Sequence, residues 1–377
     1  FALESCVDEA AHRLGIDPVT LRRKWESSDV RDGLYDWVET IPEWRERRPI
    51  AHGSGRSRSG VGVAIGNWFN AFNNASRVEL AASREGVVVR CASQDMGQGV
   101  RSVLAKPVSE ELGIPFGDIE VDIGVSTHVK GPASSGSRTT ATLYPIALEA
   151  AQRLKAELVS RATTELGLDE VEWIPGGIRH ARGAIELAAL VDELGPVSVT
   201  SKKRGGNGPF DLLGKLPTGD VGLSVLFEMT GSVCVMAVEV DTHLGLVRPT
   251  KAWMGVSAGR IANPELARSQ VEGAVVQGIG FALTEERQHD PLTGTLLSSN
   301  LEDYRIPGIG ETPEIEAHFD ESHFERMRGG ACGMSELVTL PVPAALANAV
   351  FHATGWRPRT LPLGPRRIRE LMEAHDG

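Results

Sequence analysis

Four short stretches carry residue types that could do chemistry. Asp95-Met96-Gly97-Gln98-Gly99 lies after a strand-like run and before a helix-like one. Its glycines allow a backbone to come close to a ligand, and N–H groups at a helix start suit an anion. A Gly-rich turn that holds nothing has the same composition. Ala133-Ser134-Ser135-Gly136-Ser137-Arg138-Thr139-Thr140 offers hydroxyls and a guanidinium, a set that can cradle phosphate. Ser and Thr also favour helix starts for capping alone. Glu272–Gly280 is helical in pattern yet holds Gly273, Gly278 and Gly280, each about 1 kcal/mol worse than Ala in a helix. Something must sit close to that face: a neighbouring helix, or a large cofactor with Gln277 supplying amide hydrogen bonds. Finally, Gly329-Gly330-Ala331-Cys332-Gly333-Met334-Ser335-Glu336 puts a carboxylate on a Gly-rich loop between apolar segments. Such a group can act as a general base, although most loop glutamates are simply solvated.

Elements must position these stretches. Residues 1–26 read as helix, with Leu3, Val7, Ala11 and Leu14 near helical spacing. The Pro- and Arg-rich 41–60 reads as a linker between lobes. A strand starts at Val61, and 76–93 alternates polar and apolar residues about Glu85-Gly86 as a hairpin does. A helix over 100–113 should be interrupted at Pro107, followed by a strand over 119–124 and a long helix over 140–166. Residues 167–200 hold short elements without a clear order, and the Gly-rich 201–211 should open a new sub-lobe. Two strands about His243–Gly245 fill 232–259, with helices over 264–286 and 341–355. Interleaved elements with antiparallel pairs imply a mixed α+β fold in two or three lobes. The expected division is a helical segment 1–44, a linker 45–60 and a domain 61–377. That domain would split into sub-lobes 61–200 with 337–377, and 201–336.

Composition narrows the function. The 377 residues are 41% hydrophobic and 24% charged, ordinary for a globular chain. A net charge of -11 with no basic stripe argues against nucleic-acid binding. No apolar stretch long enough to span a membrane is expected. Cys6, Cys91, Cys234 and Cys332 are scattered, which argues against an iron–sulfur or zinc site within the chain and suits a reducing cytoplasm. The opening FALESCVDEAAHRLGID has no initiator Met and reads as a helix already under way. A chain cut from a longer polypeptide, or one product of a split gene, is therefore expected.

The order and spacing of all four stretches resemble the molybdenum hydroxylases of the xanthine dehydrogenase/aldehyde oxidase family. DMGQG followed by SEELGIP, and PASSGSR before an Ala-rich helix, are similar to that family's cofactor loops. VEVDTHLGLVRPTK and NPELARSQVEGAVVQGIGFALTEE look like its central strand pair and cofactor-facing helix. NLEDYRIP, PEIEAHF and GMSELVTLP with PAALANAV, then LPLGPRRI, resemble its C-terminal active-site segment and tail.

The resemblance implies a multi-lobed molybdopterin-binding fold and the C-terminal part of the molybdenum subunit. It implies a pterin-held Mo, in cytosine dinucleotide form as is common in bacteria, with no protein side chain on the metal. Family chemistry hydroxylates an aldehyde or N-heterocycle with water-derived oxygen after a Glu removes a proton, and Glu336 takes that base position. Gly97, Gln98 and Gly99, Ser134, Ser135, Gly136, Ser137 and Arg138, and Gln277 and Ser335 take the cofactor-binding positions. Many members have Gly where Ser335 stands. Gly308-Ile309-Gly310-Glu311 spells the family's G-x-G-E more literally, but it falls between YRIP and PEIE, where the family has a surface segment. The implied partners are the N-terminal half of the molybdenum subunit, a [2Fe–2S] subunit, an FAD subunit and a small-molecule substrate, in the cytoplasm. Two other readings stay open. One is a non-catalytic paralogue or assembly subunit, suggested by Ser335 and Pro107. The other is a nucleotide- or CoA-binding module using the Gly/Ser loops alone.

Overall fold

The computed structural model describes residues 1–26, 28–204, 223–325 and 327–376, so most of the Gly-rich 201–211 lies outside the described residues. Strands β1 (Ser57–Asn73), β2 (Glu79–Ser83), β3 (Gly86–Cys91), β4 (Ile119–Ile123), β5 (Val197–Thr200), β6 (Leu223–Asp241), β7 (Leu246–Ser257) and β8 (Glu314–Asp320) form two sheets. Their orders are β1-β6-β7-β8 and β4-β3-β2-β5. The helices that matter for the site are α1 (Val100–Leu112), α2 (Thr139–Thr164), α3 (Pro264–Leu283), α4 (Ser335–Thr339) and α5 (Val342–Thr354). The fold is mixed α and β, as expected.

In the larger sheet β1 and β6 pair antiparallel from Ser57↔Asp241 to Asn73↔Leu223, with a bulge at Phe69/Asn70. β8 runs parallel to β7. Side chains alternate across a pleated sheet, and here both faces are buried. Ala64, Met236 and Met254 face a core shared with α3 and α5. Val63, Val235 and Trp253 face Leu34, Tyr35, Ile41 and Trp44 from the short N-terminal helices. The Ala-rich α5 lies directly on β1, because a side chain at Gly60 or Gly62 would collide with backbone atoms of α5 around Ala349. The smaller sheet carries its own core beneath α1 and α2, where Leu104, Val108, Leu143, Leu154 and Leu158 are buried.

Several expectations need correction. Residues 1–26 are two helices, Ala2–Leu14 and Pro18–Trp25. The first ends at left-handed Gly15, and the Asp17 carboxylate caps the second through the N–H groups of Val19 and Thr20. The expected linker is partly structure, since Ile41 and Trp44 are core residues and Ser57–Gly60 already belongs to β1. α1 runs through Pro107 and stops at left-handed Gly113. Burial of Pro107 and its neighbours outweighs a local cost of about 3 kcal/mol. Packing also groups the chain differently from the expected sub-lobes. β1 joins the segments after 223, whereas 78–200 form the second core. The unplaced 167–200 form a small sheet (172–174, 177–180, 183–186) and a helix, Leu187–Leu194. Ser335–Thr354 is long and apolar enough to cross a membrane by length and composition, against expectation, but 78% of it is buried as the core helix run.

Candidate active site

Three of the four chemical stretches sit at element ends, and Glu272–Gly280 lies within α3. In the turn before α1, Asp95 accepts hydrogen bonds from the N–H groups of Gly97 (3.0 Å), Gly99 (3.2 Å) and Arg101 (3.3 Å). Those donors were expected to suit an anion, but an internal carboxylate already takes them. Gly97 and Gly99 have φ of 100° and 84°. A Cβ on Gly99 would lie 2.7 Å from Leu266 of α3, so glycine lets α3 approach, while the space at Gly97 is open. The Gln98 amide folds back, with Nε2 donating to the Gln94 carbonyl at 3.2 Å and Oε1 accepting from Met96 N–H.

The hydroxyl-rich loop before α2 behaves differently. Arg138 is 7% exposed and turns inward, donating to the Ala133 carbonyl (3.0 Å) and Ser135 Oγ (3.1 Å). It braces its own loop. Ser137, at φ 52°, lies against the Gly329–Glu336 loop so closely that a side chain at Gly333 would collide with the Ser137 carbonyl. Ser137 Oγ accepts the N–H of Glu336 at 3.2 Å and donates to the Glu336 carboxylate.

The glycines of α3 divide between the two explanations offered above. A Cβ on Gly278 would lie 2.5 Å from Val342 of α5, and one on Gly280 would lie 2.9 Å from Pro307. These two serve packing within the fold. Gly273 meets nothing within 4 Å and lines a cleft. Thr339 donates to Gln277 Oε1 at 3.3 Å, and Ser335 to Gln270 Oε1 at 3.3 Å. The Ser335 side chain therefore tethers the start of α4 to α3.

Together these elements build two adjoining clefts. Gln98, Ser134, Ser135, Ser137, Gln270, Ser335 and Glu336 line one of about 230 Å3. A wider one of about 580 Å3 runs between α3 and α4, past Gln270, Gly273, Gln277, Ser335 and Glu336. Glu336 lines both. The donor set is neutral amides and hydroxyls about one carboxylate, suited to the donor–acceptor edge of a flat heterocycle such as a pterin. The open space at Gly273 is one that a side chain would fill. The residues fit such a group.

Glu311 stands elsewhere. It accepts from Gly308 N–H (2.9 Å) and Arg305 in an exposed turn beside Ile309, which is 98% exposed. Sequence reasoning missed Gln270, although it lies two turns before Gln277 on one helical stripe with Gly273. It also missed Trp68 and Phe281, the aromatic wall of the wider cleft. Arg260 was missed too. It lines a small space of about 90 Å3 behind Gln98 and donates to Tyr144 (3.1 Å) and Glu110 (3.3 Å).

Known proteins are similar to this chain in sequence and fold. Residues 37–313 match the model of the molybdopterin cofactor-binding domain. The xanthine dehydrogenase molybdenum-binding subunit of Escherichia coli O157:H7 is 30% identical over 98% of this chain and 51% of its own length. The aldehyde oxidoreductase molybdenum-binding subunit PaoC of Escherichia coli K12 is 29% identical, over 96% and 49%. Reconstituted CO dehydrogenase from Oligotropha carboxidovorans shares the fold at a TM-score of 0.79 and 20% identity, covering 99% of this chain and 51% of that one. The chain spans about half the length of the curated relatives it matches. On the family match, the chain belongs to the molybdopterin cofactor-binding domain family, and it is similar to the molybdenum-binding subunits of xanthine dehydrogenase and aldehyde oxidoreductase.

Proposed function

We propose that this chain forms one wall of a molybdenum site and supplies its general base, Glu336. The enzyme would oxidatively hydroxylate an aldehyde or N-heterocycle with water-derived oxygen. The observation that carries this reading is the convergence of three separate elements on Glu336: the Gln98 turn, the Ser134–Ser137 loop and helix α3. When bound, the molybdopterin group supplies Lewis acidity and redox capacity. The chain's own residues do the rest. Gln270 and Gln277 present amide NH2 groups that can hold a pterin edge, and Gln98 lines the smaller cleft with its amide folded onto its own turn. Gly97 and Gly273 leave room, and Glu336 would take the proton lost as water is activated. Trp68 and Phe281 give the wider cleft an apolar wall that suits a flat organic substrate.

The cytosine dinucleotide form of the cofactor is part of this proposal and rests on the family resemblance, not on the small space beside Gln98. The relatives' greater length supports a further part of the molybdenum subunit beyond these residues, on the same polypeptide or on another. Iron–sulfur and FAD subunits would carry the electrons away, and the cytoplasm is the proposed compartment. The motives for a non-catalytic paralogue are weakened by the geometry. Pro107 leaves α1 continuous, and Ser335 finds a partner in Gln270. A simple nucleotide module loses support because Asp95 and the inward Arg138 occupy the groups it needs.

The test is Glu336→Gln in the complete complex. Turnover should fall by about 10²–10⁴-fold, the usual worth of a general base, with molybdenum content retained. Full turnover in a molybdenum-loaded variant would overturn the assignment.

A further inference from the structure

We infer that Ser137 is a positioning residue for Glu336 and not a ligand of the cofactor. This rests on Glu336 being the base. One hydroxyl holds both ends of the same glutamate: it accepts the Glu336 backbone N–H at 3.2 Å and donates to the Glu336 carboxylate. A serine has a single O–H proton, so its donation to Glu336 leaves none for a second acceptor. Among the described residues, no Lys, Arg or His side chain lines the smaller cleft, so this hydroxyl is what the described cleft wall offers the carboxylate.

The backbone points the same way. Ser137 has φ 52°, a left-handed conformation that glycine adopts more easily. Residues held there cost of order 1–3 kcal/mol and tend to mark functional sites. Opposite it, Gly333 has lost its side chain where one would strike the Ser137 carbonyl. Both loops are therefore shaped for this contact: one holds Ser137 at a left-handed φ, and the other carries glycine where a Cβ would strike Ser137. Ser335, tied to Gln270 at 3.3 Å, fixes the other side of the same helical turn. The glutamate is held between α2's loop and α3, with its carboxylate aimed into the junction of the two clefts.

The backbone conformation supplies a clean test. Ser137→Gly and Ser137→Ala both remove the hydroxyl, yet glycine suits φ 52° and alanine does not. If Ser137 positions the base, both variants lose kcat by a similar 10–100-fold, about what misplacing a catalytic group brings. KM and molybdenum content should stay near wild type, although the alanine form melts lower. Carbodiimide coupling at Glu336 in the intact complex, read by peptide mass spectrometry, should become several-fold faster in both. Wild-type kcat in the glycine variant, or loss of activity in step with loss of molybdenum, would overturn the role. So would unchanged carbodiimide coupling. Glu336→Gln separates the two levels. If it keeps turnover, the base reading has failed and this inference with it. If it is inactive while Ser137→Gly is active, only the positioning role fails.

Discussion

Glu336 and Glu311 end nearly the same string, Gly-Met-Ser-Glu and Gly-Ile-Gly-Glu, and they have nothing else in common. Glu311 closes a short exposed turn on Gly308 N–H and Arg305, where neighbours add little. Glu336 opens α4, with the Ser137 loop on one side, Gln270 of α3 on the other and the apolar start of α5 behind. A four-residue string therefore does not make a site. Among the described residues, the Gln98 turn, the Ser134–Ser137 loop and α3 close on the clefts that Glu336 lines, whereas the hydrogen bonds of Glu311 are local.

The largest expected effect sharpens that contrast directly. The loss of about 10²–10⁴-fold expected for Glu336→Gln should not be shared by Glu311→Gln, which should stay within about twofold of wild type in the same turnover assay. Equal losses would remove the distinction. The glycines of the two strings come next. Gly333→Ala must drive the Ser137 loop away, so turnover should drop by at least roughly 10-fold. Gly308→Ala meets only the Glu311 carboxylate, at 3.7 Å, and should be silent in turnover and melting temperature.

On α3 the comparison can be broken between two faces of one helix. Gly278→Ala presses on Val342 and should destabilise by about 1–3 kcal/mol in denaturant unfolding. Gly273→Ala has space, so it should gain up to about 1 kcal/mol of helix stability, yet retain less pterin on gel filtration. A pH-dependent effect lies at the far end of the helical run. Burial, with help from the Arg47 charge, pushes the His352 imidazole down to about 4, and its Nδ1 accepts the Val61 N–H at 3.2 Å. The unfolded chain binds that proton more readily. Stability should therefore be full above about pH 6.5 and lost as pH falls toward 4, by about 1–3 kcal/mol. Melting curves of wild type and His352→Gln across that window should diverge in slope. Parallel curves would contradict this.

Much of the fold was legible because the periodicities are local. The 76–93 hairpin, the 119–123 strand and the long helix from Thr139 follow from alternation and helical spacing alone. The failures came from tertiary packing. Pro107 sits within a helix because its neighbours are buried, and 41–45 looks like a linker until Trp44 meets the back of the large sheet. In the site, residue types picked out stretches that come together around two clefts, but not which contacts each residue makes. The type of Arg138 suggests a phosphate ligand but not its hydrogen bonds to its own loop, and Gln270 shares a helical stripe with Gln277. Which hydroxyl faces a carboxylate depends on two loops 199 residues apart, and no local pattern encodes that contact.

The central claim is that these residues wall a molybdopterin site. Molybdenum and pterin analysis of the native complex, with co-purifying chains identified by mass spectrometry, tests it most directly. The account predicts near-stoichiometric molybdenum, a pterin nucleotide and an iron–sulfur partner. A folded complex that keeps its partners but contains neither metal nor pterin would contradict it, and Glu336 would then be a loop carboxylate like Glu311.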